Sequence, residues 1–219
     1  MIIPAINAPD FESAKKLILS TKEFLPPNGW IHIDVVDGKF SPASVWGNPA
    51  DLKKLIAENS WLRKMNFEIH LMVANPDPII KDWLEVGASR VIVHKEALVD
   101  FDFVAALCKE FDAELMLAIR PETSAEALQP FFGKCRQFQV LAVTPGWAGQ
   151  KFKPEVINKI KYLMEQAPDA TIEIDGGINP ETARLAKDAG ATDFVAASFI
   201  FNSQDPRRAF EDLRMATNF

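Results

Sequence analysis

Three short apolar runs in this chain carry imidazole or carboxylate side chains near their C-terminal ends. His32 and Asp34 lie in Trp30-Ile31-His32-Ile33-Asp34-Val35-Val36-Asp37-Gly38. His70 lies in Phe67-Glu68-Ile69-His70-Leu71-Met72-Val73, and Asp175 in Ile172-Glu173-Ile174-Asp175-Gly176-Gly177. Each run alternates with period two, so residues two apart point to the same face of a strand. His32 and Asp34 therefore project together. Two imidazoles and two carboxylates at strand ends make a ligand set for one divalent metal ion, and zinc, iron, manganese and cobalt all suit it. Any one histidine on an apolar strand reads equally well as a hydrogen-bonded core residue. Four such groups at matching depth do not, because two carboxylates are costly to bury without compensating charge.

Neighbouring residues extend the pattern. Glu68 and Glu173 lie two residues before His70 and Asp175 and share their faces, either as partners of the ligands or as hydrated inner positions. His94 also ends an apolar run but has no acid in the same pattern, and reads as a structural residue or as a support for a ligand. Glycine-bearing turns supply a second feature: Gly146, Trp147, Ala148 and Gly149 follow one run, Gly176 and Gly177 a second, and Ala197-Ser198 a third. Glycine lets backbone amides approach an anion closely, and three such loops on adjacent strands favour a phosphate grip over mere tight turns.

The elements that must position these residues alternate regularly. Strands are expected at Ile2 to Ile6, Trp30 to Val36, Phe67 to Met72, Arg90 to His94, Leu115 to Ile119, Gln137 to Val143, Ala170 to Asp175 and Asp193 to Ala197. Helices are expected at Phe11 to Glu23, around Asp51 to Ile56, and at Ile79 to Glu85, Phe101 to Glu110, Ser124 to Phe131, Pro154 to Gln166, Pro180 to Ala189 and Pro206 to Met215. Runs such as Val91-Ile92-Val93 are apolar throughout, as in a parallel sheet covered on both faces. Eight β-α units in 219 residues predict an α/β fold, a single (β/α)₈ barrel domain over residues 1–219. A doubly wound open sheet is the alternative, though its Gly-x-Gly-x-x-Gly after the first strand is missing. In a barrel, side chains at the C-terminal strand ends surround the active site, which is where His32, Asp34, His70 and Asp175 fall.

Composition narrows the function classes. A net charge of −6 argues against a nucleic-acid surface. No apolar run approaches the roughly 20 residues that span a bilayer. Met1-Ile2-Ile3-Pro4 has no signal-peptide character, and Cys108 and Cys135 lack Cys-x-x-Cys spacing. The expectation is a cytoplasmic protein without nucleic-acid or membrane partners.

Along nearly the whole chain the segments resemble the ribulose-phosphate 3-epimerase family. The resemblance is carried by Ile3-Pro4-Ala5-Ile6 with Asp10-Phe11, His32-Ile33-Asp34-Val35-Val36-Asp37-Gly38-Lys39-Phe40, and His70-Leu71-Met72-Val73 with Asn75-Pro76. It continues through Val93-His94-Lys95-Glu96, Pro145 to Phe152, and Asp175-Gly176-Gly177-Ile178-Asn179. It implies a ribulose-phosphate-binding barrel, in homo-oligomeric form, that inverts C3 of a ketose phosphate, most simply D-ribulose 5-phosphate to D-xylulose 5-phosphate. It also implies that His32, Asp34, His70 and Asp175 hold the metal and that Asp34 and Asp175 transfer the protons. Ala5, His70, the loop residues Gly146, Trp147, Ala148, Gly149, Gly176 and Gly177, and Ala197 and Ser198 are then the substrate and phosphate contacts.

Inverting a carbon beside a ketone requires two acid/base groups on opposite sides of the substrate. The enediolate between the two steps is stabilised by a Lewis acid. Departures from the family pattern bear on the substrate. Ala5 stands for a serine, Val36 for a methionine, and Ala148 and Ala197 for glycines. Asn7 stands where an apolar residue is usual and is a candidate to replace the serine contact. A hexulose 6-phosphate epimerase and a non-catalytic sugar-phosphate-binding barrel are the alternatives. The Asp-x-Lys-x-x-Asp array of related decarboxylases and aldolases is absent.

Overall fold

Strands of almost wholly buried residues alternate with amphipathic helices. In the computed structural model, which describes residues 1–218, the strands are β1 (Ile2–Ile6), β2 (Trp30–Val36), β3 (Asn66–Met72), β4 (Arg90–His94), β5 (Glu114–Ile119), β6 (Gln137–Leu141), β7 (Thr171–Asp175) and β8 (Asp193–Ala196). All neighbours pair in parallel, and β1 pairs with both β2 and β8, so the eight close into a barrel. The expected barrel over residues 1–219 includes Phe219, which lies outside the described residues. No helix among the described residues is long and apolar enough to cross a membrane.

The helices are α1 (Phe11–Ser20), α2 (Pro49–Glu58), α3 (Asp77–Val86), α4 (Phe101–Glu110), α5 (Ile157–Gln166), α6 (Pro180–Ala189), α7 (Ser198–Phe201) and α8 (Pro206–Thr217). Asp10, Asn48, Asp100, Asn179 and Asp205 cap helix N-termini by accepting from backbone N–H groups that lack intrahelical partners. The first helix is shorter than expected: Thr21–Glu23 tightens into a 3₁₀ turn. The helix expected at Ser124 to Phe131 is instead 3₁₀ over Ala125–Phe131. Pro130 lies inside it, and a proline there removes an amide donor and clashes with the preceding turn of an α-helix.

Alternation along the strands separates two kinds of interior. Outward-facing residues such as Ile33, Ile69, Val91, Phe138 and Phe194 pack with Ile18, Leu52, Trp83, Ile160 and Leu213 of the helices. Residues of the opposite parity fill the barrel, in part with Ile3, Ala5 and Val195 and with Ile92, Met116 and Ala118.

The rest of the barrel interior is charged. Arg90 Nη1 lies 2.7 Å from Glu68 Oε2, 3.4 Å from Glu173 Oε2 and 3.8 Å from Asp193 Oδ2, while Nη2 lies 2.8 Å from Glu114 Oε2. Its guanidinium also stacks 4.3 Å from the Trp30 ring. Burial and the neighbouring Glu68 carboxylate push the Glu173 pKa well above its usual range. Its Oε1 accepts from Gln139 Nε2 at 2.9 Å. One buried cation thus sits among several carboxylates, and removing it leaves them unpaired in a low-dielectric interior. Arg90→Leu is therefore expected to destabilise the fold by about 3–5 kcal/mol, a fall in melting temperature of roughly ten degrees for a chain of this size. An unchanged denaturation midpoint would show that the interior carboxylates do not depend on this guanidinium.

Candidate active site and metal centre

The register of the barrel gathers the expected ligands at one end. Asp34 is directly paired with His70 between β2 and β3, and Ala5 of β1 with His32. Asp175 ends β7, reached from β2 the short way round with only β8 and β1 between. His70 Nδ1 lies 3.3 Å from Asp34 Oδ1 and 3.3 Å from Asp175 Oδ2, and His32 Nε2 lies 3.2 Å from Asp34 Oδ1. One ligand atom from each of the four residues lies within 4.8 Å of all the others. Both imidazoles are fully buried, and the carboxylates nearly so.

This set fits a divalent cation. Atoms bonded to one such ion at its usual distance of about 2.1 Å lie roughly 3 to 3.5 Å apart in a tetrahedral set, the separation found for His32–Asp34, Asp34–His70 and His70–Asp175. His70 Nδ1 is buried and lacks a hydrogen-bond partner, since both carboxylate oxygens beside it are outside hydrogen-bonding geometry. Burial disfavours charge on His32 and His70, yet their carboxylate neighbours outweigh it and raise both pKa values. For Asp34 burial likewise works against the charged form, and the two histidines overcome it to hold the carboxylate below its usual range. The pocket is thus built to concentrate positive charge between two carboxylates.

Outer partners set the ring tautomers. His32 Nδ1 faces Glu68 Oε1 at 2.7 Å and Nε2 faces Asp34 Oδ1 at 3.2 Å, so with a proton kept on the Glu68 side, Nε2 is the nitrogen whose lone pair would turn to an ion that displaces its own proton. Of the two readings of Glu68, partner or hydrated position, the structure shows the partner: it is fully buried. His70 Nε2 faces His94 Nε2 at 2.9 Å, and His94 Nδ1 faces Glu96 Oε2 at 3.3 Å. A proton on His70 Nε2 and one on His94 Nδ1 satisfy that chain and free His70 Nδ1. His94 is pushed down to about 4, mainly by burial, and so is neutral. Its acid partner, missing from the strand pattern, is Glu96 just beyond β4. The His94 ring stacks on His70 with centroids 5.0 Å apart, Phe40 packs against His94 at 4.8 Å, and Arg120 covers Phe40 at 3.6 Å.

Above these groups opens a cleft. Its lining includes Asp34 and Asp175 together with Ala5, Gly146, Trp147, Ala148, Gly149, Gly176, Gly177, Ala197 and Ser198. His32 and His70 lie beneath it and are not part of the lining. Gly176 and Gly177 turn at φ of +101° and +68°. A Cβ on Gly177 would meet the Phe152 backbone nitrogen at 2.6 Å, so the turns after β6 and β7 touch only because that side chain is absent. Gln150 pins the loop after β6, donating from Nε2 to Thr144 O at 2.7 Å and Trp147 O at 2.8 Å.

The model of the ribulose-phosphate 3-epimerase family matches residues 1–201. This chain belongs to that family. It is 31% identical over 214 residues to the ribulose-phosphate 3-epimerase of Schizosaccharomyces pombe, covering 97% of this chain and 92% of that one. It is 34% identical over 220 residues to that of Mycobacterium tuberculosis, covering 98% and 91%. The chain is an epimerase, hence an isomerase. Its fold is also that of KGPDC from Streptococcus mutans, with a TM-score of 0.74 at 13% identity over 99% of this chain and 96% of the other.

Within the ribulose-phosphate 3-epimerase family the departures of this member are structurally quiet. Ala197 has a φ of −102° and Ala148 is not among the positive-φ residues, so neither position requires glycine. Val36 packs with Ala43, Val45 and Met72. Asn7 differs. Its Nδ2 donates to Asp34 Oδ2 at 2.9 Å and Gly146 O at 2.8 Å, and its Oδ1 accepts from the Ala148 N–H at 3.2 Å. Both amide donors are committed within the protein rather than held out in place of a serine hydroxyl. Met72, Val143, Gln150 and Ile178 also line the cleft. Met72 shares the face of His70 by strand parity, whereas Val143, Gln150 and Ile178 reach the cleft through the turns after β6 and β7 once the barrel closes.

Proposed function

We propose that this epimerase inverts C3 of D-ribulose 5-phosphate to give D-xylulose 5-phosphate by two-base proton transfer. The observation that carries the reading is the convergence of Asp34 and Asp175, from β2 and β7, on the buried His70 imidazole beneath the cleft. A substrate seated between the two carboxylates gives up its C3 proton to one of them, passes through an enediolate, and receives a proton from the other on the opposite face. A divalent ion held by His32, Asp34, His70 and Asp175 supplies Lewis-acid stabilisation of the negative charge that develops on the substrate oxygens. Glu68 and His94 keep the two imidazoles in the tautomers that leave a lone pair toward that centre. Backbone amides of the loops bearing Gly146 to Gly149, Gly176 and Gly177, and Ala197 and Ser198 receive the phosphate, which orients the sugar and contributes binding energy at a distance from the reacting carbon.

The reading is tested by incubating the metal-loaded protein with D-ribulose 5-phosphate in deuterium oxide. Formation of D-xylulose 5-phosphate with deuterium at C3, lost on chelation and restored by a divalent metal, is the expected result. A metal-replete protein that neither forms product nor exchanges the C3 proton overturns it in favour of a binding-only barrel.

Ala5 in the cleft lining favours a second substrate, a hexulose 6-phosphate, because a methyl group stands in place of a serine hydroxymethyl and leaves room. A single neutral hydrogen bond contributes about 0.5–1.5 kcal/mol, a few-fold to tenfold in rate. Ala5→Ser is accordingly expected to raise kcat/KM on D-ribulose 5-phosphate by that factor. A fall on the pentulose, with the unaltered protein faster on the hexulose, assigns the longer sugar instead.

A further inference from the structure

Asn7 is singular in this site because it touches both halves of it. Asp34 has two distinct oxygens: Oδ1 faces His32 Nε2 and His70 Nδ1, and Oδ2 receives the Asn7 amide. The same amide group reaches Gly146 O, and the carbonyl oxygen of Asn7 holds the Ala148 N–H. Gly146 and Ala148 flank Trp147, a half-exposed residue of the loop after β6 that lines the cleft. Among the described residues, no other side chain is seen joining one of the two acidic residues of the cleft to that loop. Asn7 itself sits one residue past β1, the strand that pairs with β2, so its backbone is as fixed as the sheet.

We propose that Asn7 is a positioning residue that clasps the proton-transferring carboxylate of Asp34 to the loop at Gly146–Ala148, so that the loop over the substrate and the base beneath it are set together. The role rests on the two-base reading above. A carboxylate held at one oxygen alone can rotate about its Cβ–Cγ bond; an amide donor on the second oxygen removes that freedom. Two donated bonds and one accepted bond on a single planar amide tie the carboxylate and the loop to the same group, which an apolar side chain at this position cannot do. The clasp acts on one of the two bases only, since no hydrogen bond among the described residues joins Asn7 to Asp175.

Two variants and two readouts test it. Asn7→Leu removes all three bonds, whereas Asn7→Asp keeps an oxygen for the Ala148 N–H and removes both donors. Amide hydrogen exchange is the readout independent of turnover. In Asn7→Leu the Ala148 amide is expected to exchange roughly three- to tenfold faster, as befits loss of one hydrogen bond, with β1 and β2 amides unchanged. In Asn7→Asp its protection is expected to persist. The second readout is the ratio of C3 deuterium exchange into recovered substrate to product formation, measured from each epimer in turn with metal content matched. Both variants should raise that ratio about tenfold, in line with loss of a bond to a charged acceptor, starting from the epimer that Asp175 deprotonates, where Asp34 must deliver the product-forming proton, and lower it starting from the epimer that Asp34 deprotonates, where Asp34 returns the proton to substrate.

Merely structural damage would slow turnover but leave the exchange-to-product ratio unchanged from both epimers, and that result overturns the proposal. So does an unchanged Ala148 exchange rate in Asn7→Leu; if that variant does not fold, the opposed shifts of the ratio in Asn7→Asp decide. An unaltered protein that exchanges no C3 proton at all overturns the two-base reading and this catalytic role with it, and is distinguished by needing no variant.

Discussion

Asp175→Asn is expected to lower net epimerisation of D-ribulose 5-phosphate by about 10²–10⁴-fold, the usual contribution of a positioned acid/base group. The amide keeps the shape of the carboxylate and one oxygen toward the buried cluster, but it cannot carry a proton at neutral pH. Asp34 remains in the cleft lining, with its Oδ2 held by Asn7 and its Oδ1 beside His32 and His70. Exchange of the C3 proton with solvent should therefore continue from the epimer that Asp34 deprotonates, without inversion. Parallel measurement of deuterium incorporation and product formation separates the two activities. Unchanged epimerisation in this variant refutes the two-base scheme, and loss of exchange from both epimers assigns the chemistry to Asp175 alone.

A comparable loss is expected from His70→Ala, by a different route. His70 Nδ1 is the buried, unpartnered nitrogen between the two carboxylates, and its other nitrogen is tied to His94. Deleting the ring removes one of four ligand groups and leaves Asp34 and Asp175 closer to unscreened repulsion. Replacing an outer partner of a metal ligand typically weakens affinity 10–100-fold, so removing the ligand itself should exceed about 100-fold. Metal content after dialysis and turnover should fall together, and excess divalent metal should restore part of the activity. Full metal occupancy with normal turnover removes His70 from the ligand set.

Much of this was written in the linear chain. Period-two alternation located all eight strands to within a few residues, because a strand buried on both faces leaves an unmistakable run such as Val91-Ile92-Val93. The same parity rule placed His32 with Asp34 and Glu68 with His70 on shared faces, and strand ends set their common depth. What failed was local: Ser124 to Phe131 has helical apolar spacing, yet Pro130 denies it an α-helical ladder.

Tertiary structure alone decided the rest. Asp175 joins His70 only because β1 pairs with β8 and closes the barrel, a contact across more than a hundred residues that no local pattern contains. Arg90 reads as a polar start to an apolar strand, but closure aims it inward at carboxylates from three other strands, Glu68, Glu173 and Asp193. Asn7 reads in the sequence as a candidate to replace a serine contact with substrate, and only the loop after β6, brought against it in the closed barrel, offers it Gly146 and Ala148 as partners instead. Periodicity specifies which way a side chain points; which other side chains it meets there is set by sheet order and register, and those are properties of the closed barrel.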